Sequence, residues 1–477
     1  MPTDIAFLSA AEAGQRIASR QLSPVDLVEA FLERIARYND SLRIYITLLA
    51  EPARAAAREA EAEIAAGRWL GPLHGVPFAV KDNYFTRGIR TTAGSRLMLD
   101  HVPDRSAAAV ARLQAAGAIL LGKLNTWEYG TGNAGVYHDL PFPVARNPWD
   151  TERFTGGSST GAGAAVAAGL ASFTLGTDTG GSIRLPAAAC GVYGLKPTYG
   201  LVSRAGILPN CWSFDVAGPL ARTPEDAALV LRVLAGRDPA DAATVDRPAV
   251  DYRAGIGSGV RGLTIGLIED TGSADCPSAT LLAGLREAAA ALEEQGARII
   301  RMSMPAPAAT FRGIMGLVNA SESFSIHEKD ATERPHLMGR ALREKMMSGA
   351  TTRAADYIAA QRQRAVLSDL IEKMFGQVDL LLLPGTHHVA PRFDDQDAVM
   401  AFTRESSMSF FSISGHPAMT MPAGFDEAGL PRNVQLAACW FGEATLLRGA
   451  AALHEAAPWP ARHPVLAETP IPATAEA

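Results

Sequence analysis

A chain of 477 residues is longer than one hydrophobic core usually serves, so it holds two or three domains or one large α/β unit. Hydrophobic residues at 48%, charged residues at 20% and aromatics at 7% describe an ordinary globular protein and exclude an extended or disordered chain. The net charge of -6, with Lys and Arg scattered rather than clustered, excludes the basic footprint of a nucleic-acid binder and a polybasic membrane patch, and favours a small or neutral substrate.

The opening MPTDIAFLSAAEAG carries an acid where a secretory leader carries basic residues, so a cytoplasmic location is expected. Ser23-Pro24 reads as an N-cap followed by proline at the first helical turn, and apolar spacing through Leu32, Ile35 and Ala36 predicts a helix to about Arg37. Residues 52–67 continue as a second helix. From Gly75 short apolar runs end in polar loops: GVPFAVKDN and AGAILLGKLNT read as strands, 158–170 as a helix buried on all sides, and 171–178 as the next strand. After a Gly-, Pro- and Asp-rich surface connection at 236–262, strands follow in 262–270, 298–302, 378–385, 418–425 and 432–439, with helices at 278–295 and 443–456. The expected class is α/β: one large domain with a mixed central sheet covered by helices on both faces. Within it, 1–70 supplies N-terminal helices packing on the core, 71–235 the core that carries the candidate segments taken up below, and 236–477 the remainder of the same domain, including the middle helices. No run of about eighteen apolar residues is free of Gly, Pro and charge, so no spanning helix is expected. Cys190, Cys211, Cys276 and Cys439 lie far apart without zinc-knuckle spacing and are expected as buried thiols.

Three stretches carry candidate chemistry. GTDTGGSIRLPA, from Gly176, sets paired glycines before Ser182, leaving backbone N–H groups free of side chains as an oxyanion hole requires. Alone it reads more readily as a Gly-rich turn. GGSSTGAGAA, from Gly156, again places serines after paired glycines; its G-x-S-x-G match is set aside because no strand precedes it, and no phosphate-loop fingerprint is completed. Lys81 closes the apolar run PFAV, where an ammonium must be paired or neutral. It is either a snorkelling lysine paired with Asp82 or a general base whose pKa burial has lowered.

GVPFAVKDN, GGSSTGAGAAVAAG and GTDTGGSIRLPAAACGVYGLKPTYG, in that order, resemble the amidase signature family of serine hydrolases, strongly over 71–218 and more loosely through SGHPAMTMPAGF and the final helix. The resemblance implies Ser182 as nucleophile, Ser158 after a cis peptide as bridging serine, and Lys81 as base. It implies the N–H groups of Thr179, Gly180, Gly181 and Ser182 as the oxyanion hole. Asp178 and Arg184 are expected to brace the nucleophile loop, and Ser159 to donate to Ser158. No cofactor or metal is implied; His387 and His388 are taken as loop residues at the pocket mouth. Loops 125–137 and 207–214 are expected to wall the pocket with Trp127, Tyr129, Tyr137, Cys211 and Trp212, joined by Met315 and Phe324 from middle helices.

The activity expected is that of an amidase on small aryl or medium acyl amides, with side activity on esters and anilides. A carbamate (urethane) hydrolase is the alternative within the family. An A-subunit-like amidotransferase component or a non-catalytic complex component is a further one, against which the chain reads AGILPNCWSFDVAGPL where the amidotransferase component carries A-S-S-L-D-Q, and lacks its Y-D-G motif. The expected partner is a small-molecule amide, ester or carbamate, not nucleic acid or membrane, met by a monomer or homodimer.

Overall fold

The computed structural model describes residues 5–132, 135–248, 250–272, 276–456 and 462–466. Eleven strands join one sheet: β1 (Tyr45–Leu48), β2 (Pro77–Lys81), β3 (Ile119–Leu124), β4 (Phe173–Asp178), β5 (Tyr193–Lys196), β6 (Val216–Ala221), β7 (Thr264–Leu267), β8 (Arg298–Arg301), β9 (Leu380–Pro384), β10 (Ala418–Phe425) and β11 (Pro431–Ala438). Their spatial order is β1-β3-β2-β4-β6-β5-β10-β11-β9-β7-β8. β2 runs parallel to both β3 and β4, and β7 parallel to β8 and β9, while the central strands from β6 to β11 pair antiparallel. The sheet is therefore mixed. Every residue of β2, β3, β4, β6 and β9 is buried, which requires helices on both faces and explains the apolar runs PFAV, ILL and LLLL of β2, β3 and β9.

Local chemistry accounts for the element ends. Ser23 accepts from the N–H groups of Val25 and Asp26 and starts the helix Pro24–Leu42, which runs a turn beyond the expected Arg37 because Tyr38 and Leu42 continue its buried stripe. Asn39 accepts from the N–H groups of Ile44 and Tyr45, turning the chain into β1. β5 and β6 are not among the expected strands. β5 has four residues, and β6 carries Pro219 opposite Leu175 inside the sheet, where proline is normally excluded. Cys190 and Cys211 are buried, whereas Cys276 is exposed and Cys439 half-buried, so the expectation of four buried thiols holds for two. No helix among the described residues is long and apolar enough to cross a membrane.

The parallel pair β2 and β4 positions the site. Side chains alternate across a strand, so Phe78 and Val80 face one side of β2 while Ala79 and Lys81 face the other. Phe78 stacks on Phe173 of β4 with ring centroids 5.5 Å apart, which fixes the two strand ends side by side. Phe78→Ala is expected to lower stability by about 3–5 kcal/mol, read from denaturant unfolding at unchanged slope.

Candidate active site

The C-terminal ends of β2 and β4 deliver Lys81 and Thr177 to one point, as open α/β sheets commonly do with their sites. Lys81 Nζ is fully buried and lies 2.7 Å from Ser158 Oγ and 2.8 Å from Thr177 Oγ1. Asn83 Nδ2 donates to the same Thr177 oxygen at 3.1 Å. With two donors already on Thr177, its oxygen holds the lysine in place and Ser158 is left as the neighbour able to exchange a proton. Ser158 follows a cis Gly157–Ser158 peptide just before the helix Thr160–Ala167, and its carbonyl accepts from the N–H of Trp127.

Asp82 does not neutralise Lys81. Its carboxylate points to the buried Lys123 Nζ on β3, 3.2 Å away, and accepts from Thr92 N–H at 2.9 Å. Lys81 forms no ion pair among the described residues. Burial therefore dominates and brings its pKa from 10.5 down to about 7, against the weaker opposing fields of Asp215 and Asp178.

Asp178 ends β4 and organises the loop that follows. It forms an ion pair with Arg184 at 2.9 Å, both side chains fully buried, and accepts from the N–H groups of Gly181 at 2.8 Å and Ile183 at 3.2 Å. Burial opposes its charge, but Arg184, Lys196 and the Gly181 N–H outweigh that and hold its pKa below the usual carboxylate value. Arg184 is tied onward to Gln435 Oε1, Ser412 Oγ and the Met408 carbonyl. The Gly181 N–H is thus already engaged, which removes it from the expected set of oxyanion donors. Gly181 has φ +119°, and a Cβ there would stand 2.8 Å from Met408, so the turn needs glycine. Ser159 also departs from expectation: its hydroxyl donates to the Thr177 carbonyl at 3.4 Å rather than to Ser158.

Ser182, 9% exposed, opens on a cavity of about 780 Å³ that Thr179, Gly180, Gly130 and Gly157 also line. Trp127, Leu185 and Met315 supply apolar wall, but Arg312, Lys345, Arg404, Glu344 and Glu405 line the cavity too. The wall is thus partly charged, where the residues expected from sequence carry no charge. Cys211 is buried with its thiol donating to Glu322 Oε2 at 3.1 Å, and Trp212 is 51% exposed against Arg204. Tyr129 packs edge-on to His327 at 4.4 Å, and Tyr137 backs Trp127 edge-on at 5.3 Å without reaching the cavity. Phe324, His387 and His388 lie outside the lining, His387 buried beside Thr271. Sequence reasoning missed Thr177, Asn210 and Lys345; the signal for Thr177 was its place one residue before Asp178, at the end of a strand parallel to the one that ends in Lys81.

Fold and site belong with hydrolases that act on carbon–nitrogen bonds. The Amidase family model matches residues 26–447, and the chain belongs to the amidase signature family of hydrolases. It is 39% identical to the A-subunit of the glutamyl-tRNA(Gln) amidotransferase of Roseiflexus castenholzii, over 98% of this chain and 99% of that one. Among solved structures it is similar to the native peptide amidase of Stenotrophomonas maltophilia (TM-score 0.86, 32% identity, 96% of this chain and 98% of that one). It is also similar to a bacterial aryl acylamidase of the amidase signature family (TM-score 0.86, 27% identity, 96% and 99%).

The lowered lysine has a thermodynamic signature. Between about pH 7 and 10.5 the unfolded chain holds a proton on Lys81 that the folded chain does not, so folded stability rises with pH across that window; the cost of burial is fully present below it and absent above. Lys81→Met is therefore expected to gain on wild type in melting temperature as pH falls from about 10 to 7, a gap that a constant difference across the window would contradict.

Proposed function

We propose that the chain is an amidase hydrolysing small amides through an acyl-enzyme on Ser182, with Ser158 as proton bridge and Lys81 as base. The observation that carries this reading is the buried Lys81 Nζ at 2.7 Å from Ser158 Oγ with no carboxylate among the described residues paired to it. Neutral Lys81 takes a proton from Ser158 as Ser158 takes one from Ser182, and Ser182 Oγ bonds to the amide carbon. The N–H groups of Thr179, Gly180 and Ser182 hold the carbonyl oxygen as it becomes an oxyanion. The relay then returns the proton to the nitrogen as the C–N bond breaks; water, deprotonated by the same relay, releases the acid.

Trp127, Leu185 and Met315 beside Ser182 support an aryl or medium acyl group, as does the likeness to the aryl acylamidase. The charged residues of the same cavity extend that reading to substrates with a polar substituent. Nothing in the acylation chemistry depends on nitrogen as the leaving atom, so esters, anilides and carbamates fall within the proposed range. A second reading, an amidotransferase component supplying ammonia to a partner, is favoured by the 39% identity to the Roseiflexus protein over nearly the whole chain. Against it stands AGILPNCWSFDVAGPL at 205–220 in place of the A-S-S-L-D-Q stretch.

Incubation with a fluorophosphonate should add one adduct by intact mass in wild type and none in Ser182→Ala. Hydrolysis of an acyl anilide should fall by about 10³-fold or more in both Ser182→Ala and Lys81→Ala. Unchanged hydrolysis in Ser182→Ala would overturn the proposal. Glutamine as the preferred substrate over a panel of anilides, amides and carbamates would favour the second reading.

A further inference from the structure

Lys345, on the helix Arg340–Ala350, is a buried lysine that lines the cavity, and the proposed chemistry does not use it. Its ammonium donates to Asn210 Oδ1 at 2.6 Å, Asn319 Oδ1 at 2.8 Å and Thr131 Oγ1 at 3.2 Å. An ammonium has three N–H bonds, and here all three are taken by neutral side-chain oxygens. None is left over for a substrate atom, so Lys345 acts through its partners.

The partner that matters is Asn210. Its Oδ1 accepts from Lys345 and from Thr131 Oγ1, while its Nδ2 donates to Thr179 Oγ1 at 3.2 Å and to the Gly130 carbonyl at 3.4 Å. Thr179 Oγ1 in turn donates to Asp215 Oδ1 at 2.6 Å, and Asp215 Oδ2 accepts from the Asn210 N–H at 2.8 Å, closing the network. Both ends reach the reacting groups. Thr179 is the first proposed oxyanion donor, and a Cβ on Gly130 would lie 3.4 Å from Ser158 Oγ and 3.6 Å from Lys81 Nζ.

We propose that Lys345 is a positioning residue, its ammonium fixing the Asn210 carboxamide as a clasp between the backbone at Gly130 and the oxyanion loop at Thr179. This rests on the reading of Ser182 as nucleophile given above. An apolar side chain would dock the helix without the desolvation cost of a buried cation that forms no ion pair among the described residues, so docking alone does not account for a lysine here. Three acceptors also demand the charged form, because a neutral amine has two N–H bonds and releases one of them.

The clasp therefore opens as Lys345 loses its proton. Burial lowers its pKa to about 8, opposed by Cys211 and Asp215. The titratable groups facing it are Cys211 and Asp215 on the 210–215 turn, Glu322 and His327 on the helix Ala308–Glu333, and Glu344 beside it. Burial first of all raises Cys211 well above its ordinary value and lowers His327 to about 4, so neither titrates in the same range. With Lys81 required neutral and Lys345 required charged, kcat should be bell-shaped in pH.

The test is kcat and KM for a neutral acyl anilide between about pH 6 and 10 in wild type, Lys345→Met, Lys345→Arg and Asn210→Asp, with melting temperatures and fluorophosphonate labelling of Ser182 in parallel. Lys345→Met should lower kcat by about 10- to 100-fold with KM within about threefold of wild type. Lys345→Arg should recover most of kcat and lose the alkaline limb. Asn210→Asp keeps an acceptor for Lys345 but cannot donate to Thr179 and Gly130, so it should lower kcat while the fold is retained; it decides the matter if Lys345→Met does not fold. Wild-type kcat in Lys345→Met or Asn210→Asp, a change confined to KM, or an alkaline limb surviving in Lys345→Arg would overturn the proposal while labelled Ser182 leaves the underlying reading standing. Absence of an adduct on Ser182 in wild type would overturn that reading itself.

Discussion

The contact between Lys81 Nζ and Ser158 Oγ, 2.7 Å long and sealed from water, is the constraint around which the rest of the structure is arranged. A cation at the end of a fully buried strand would normally be neutralised by the acid next to it. Here β3 supplies Lys123 to occupy Asp82, and Lys81 faces hydroxyls alone. The order β3-β2-β4 thus has an electrostatic as well as a structural role: one parallel neighbour removes the counter-ion, and the other brings Thr177 to orient the amine. Because the ammonium is disfavoured by burial and not rescued by a pair, its pKa falls to about 7, the range a general base needs.

Asp178 and Arg184 answer the opposite need. Their buried pair is mutually neutralised and tied into the Met408–Ser414 helix and β11, so the loop between them has one geometry. Removing either partner would leave an uncompensated charge in the core, which is why such a pair serves better as a frame than as a reacting group. The loop it frames exposes Ser182 while it engages the Gly181 N–H inward. Frame and base meet at the end of β4, where Thr177 holds Lys81 and Asp178 begins the frame, and this separation of roles is what the proposed chemistry requires.

Much of the fold was legible because several strands are buried on both faces and read as apolar runs, PFAV and ILL among them. β5 and β6 escaped because Gly194, Gly218 and Pro219 break the pattern; their place is set by flanking strands, not by their own preference. The three segments bearing Lys81, Ser158 and Ser182 were legible as motifs, since each needs small residues at fixed offsets around one polar side chain. Of the cavity wall, Trp127 and Met315 were legible and the charged part was not. Arg312, Lys345 and Arg404 come from helices distant in sequence, and LREKMMSG reads as a solvated helical face until tertiary packing buries Lys345. Conversely, the aromatic residues that suggested an apolar wall are drawn into packing of their own, Tyr129 against His327 and Trp212 against Arg204.

The central claim is that a neutral Lys81 activates Ser182 through Ser158, and the rate of Ser182 phosphonylation as a function of pH tests it most directly. In wild type the rate should rise with loss of one proton at an apparent pKa of about 7, ahead of the alkaline fall expected from Lys345. In Lys81→Met it should fall by about 10²–10⁴-fold and lose that dependence. A wild-type rate indifferent to pH across that range, or a Lys81→Met variant labelled as fast as wild type, would contradict the account.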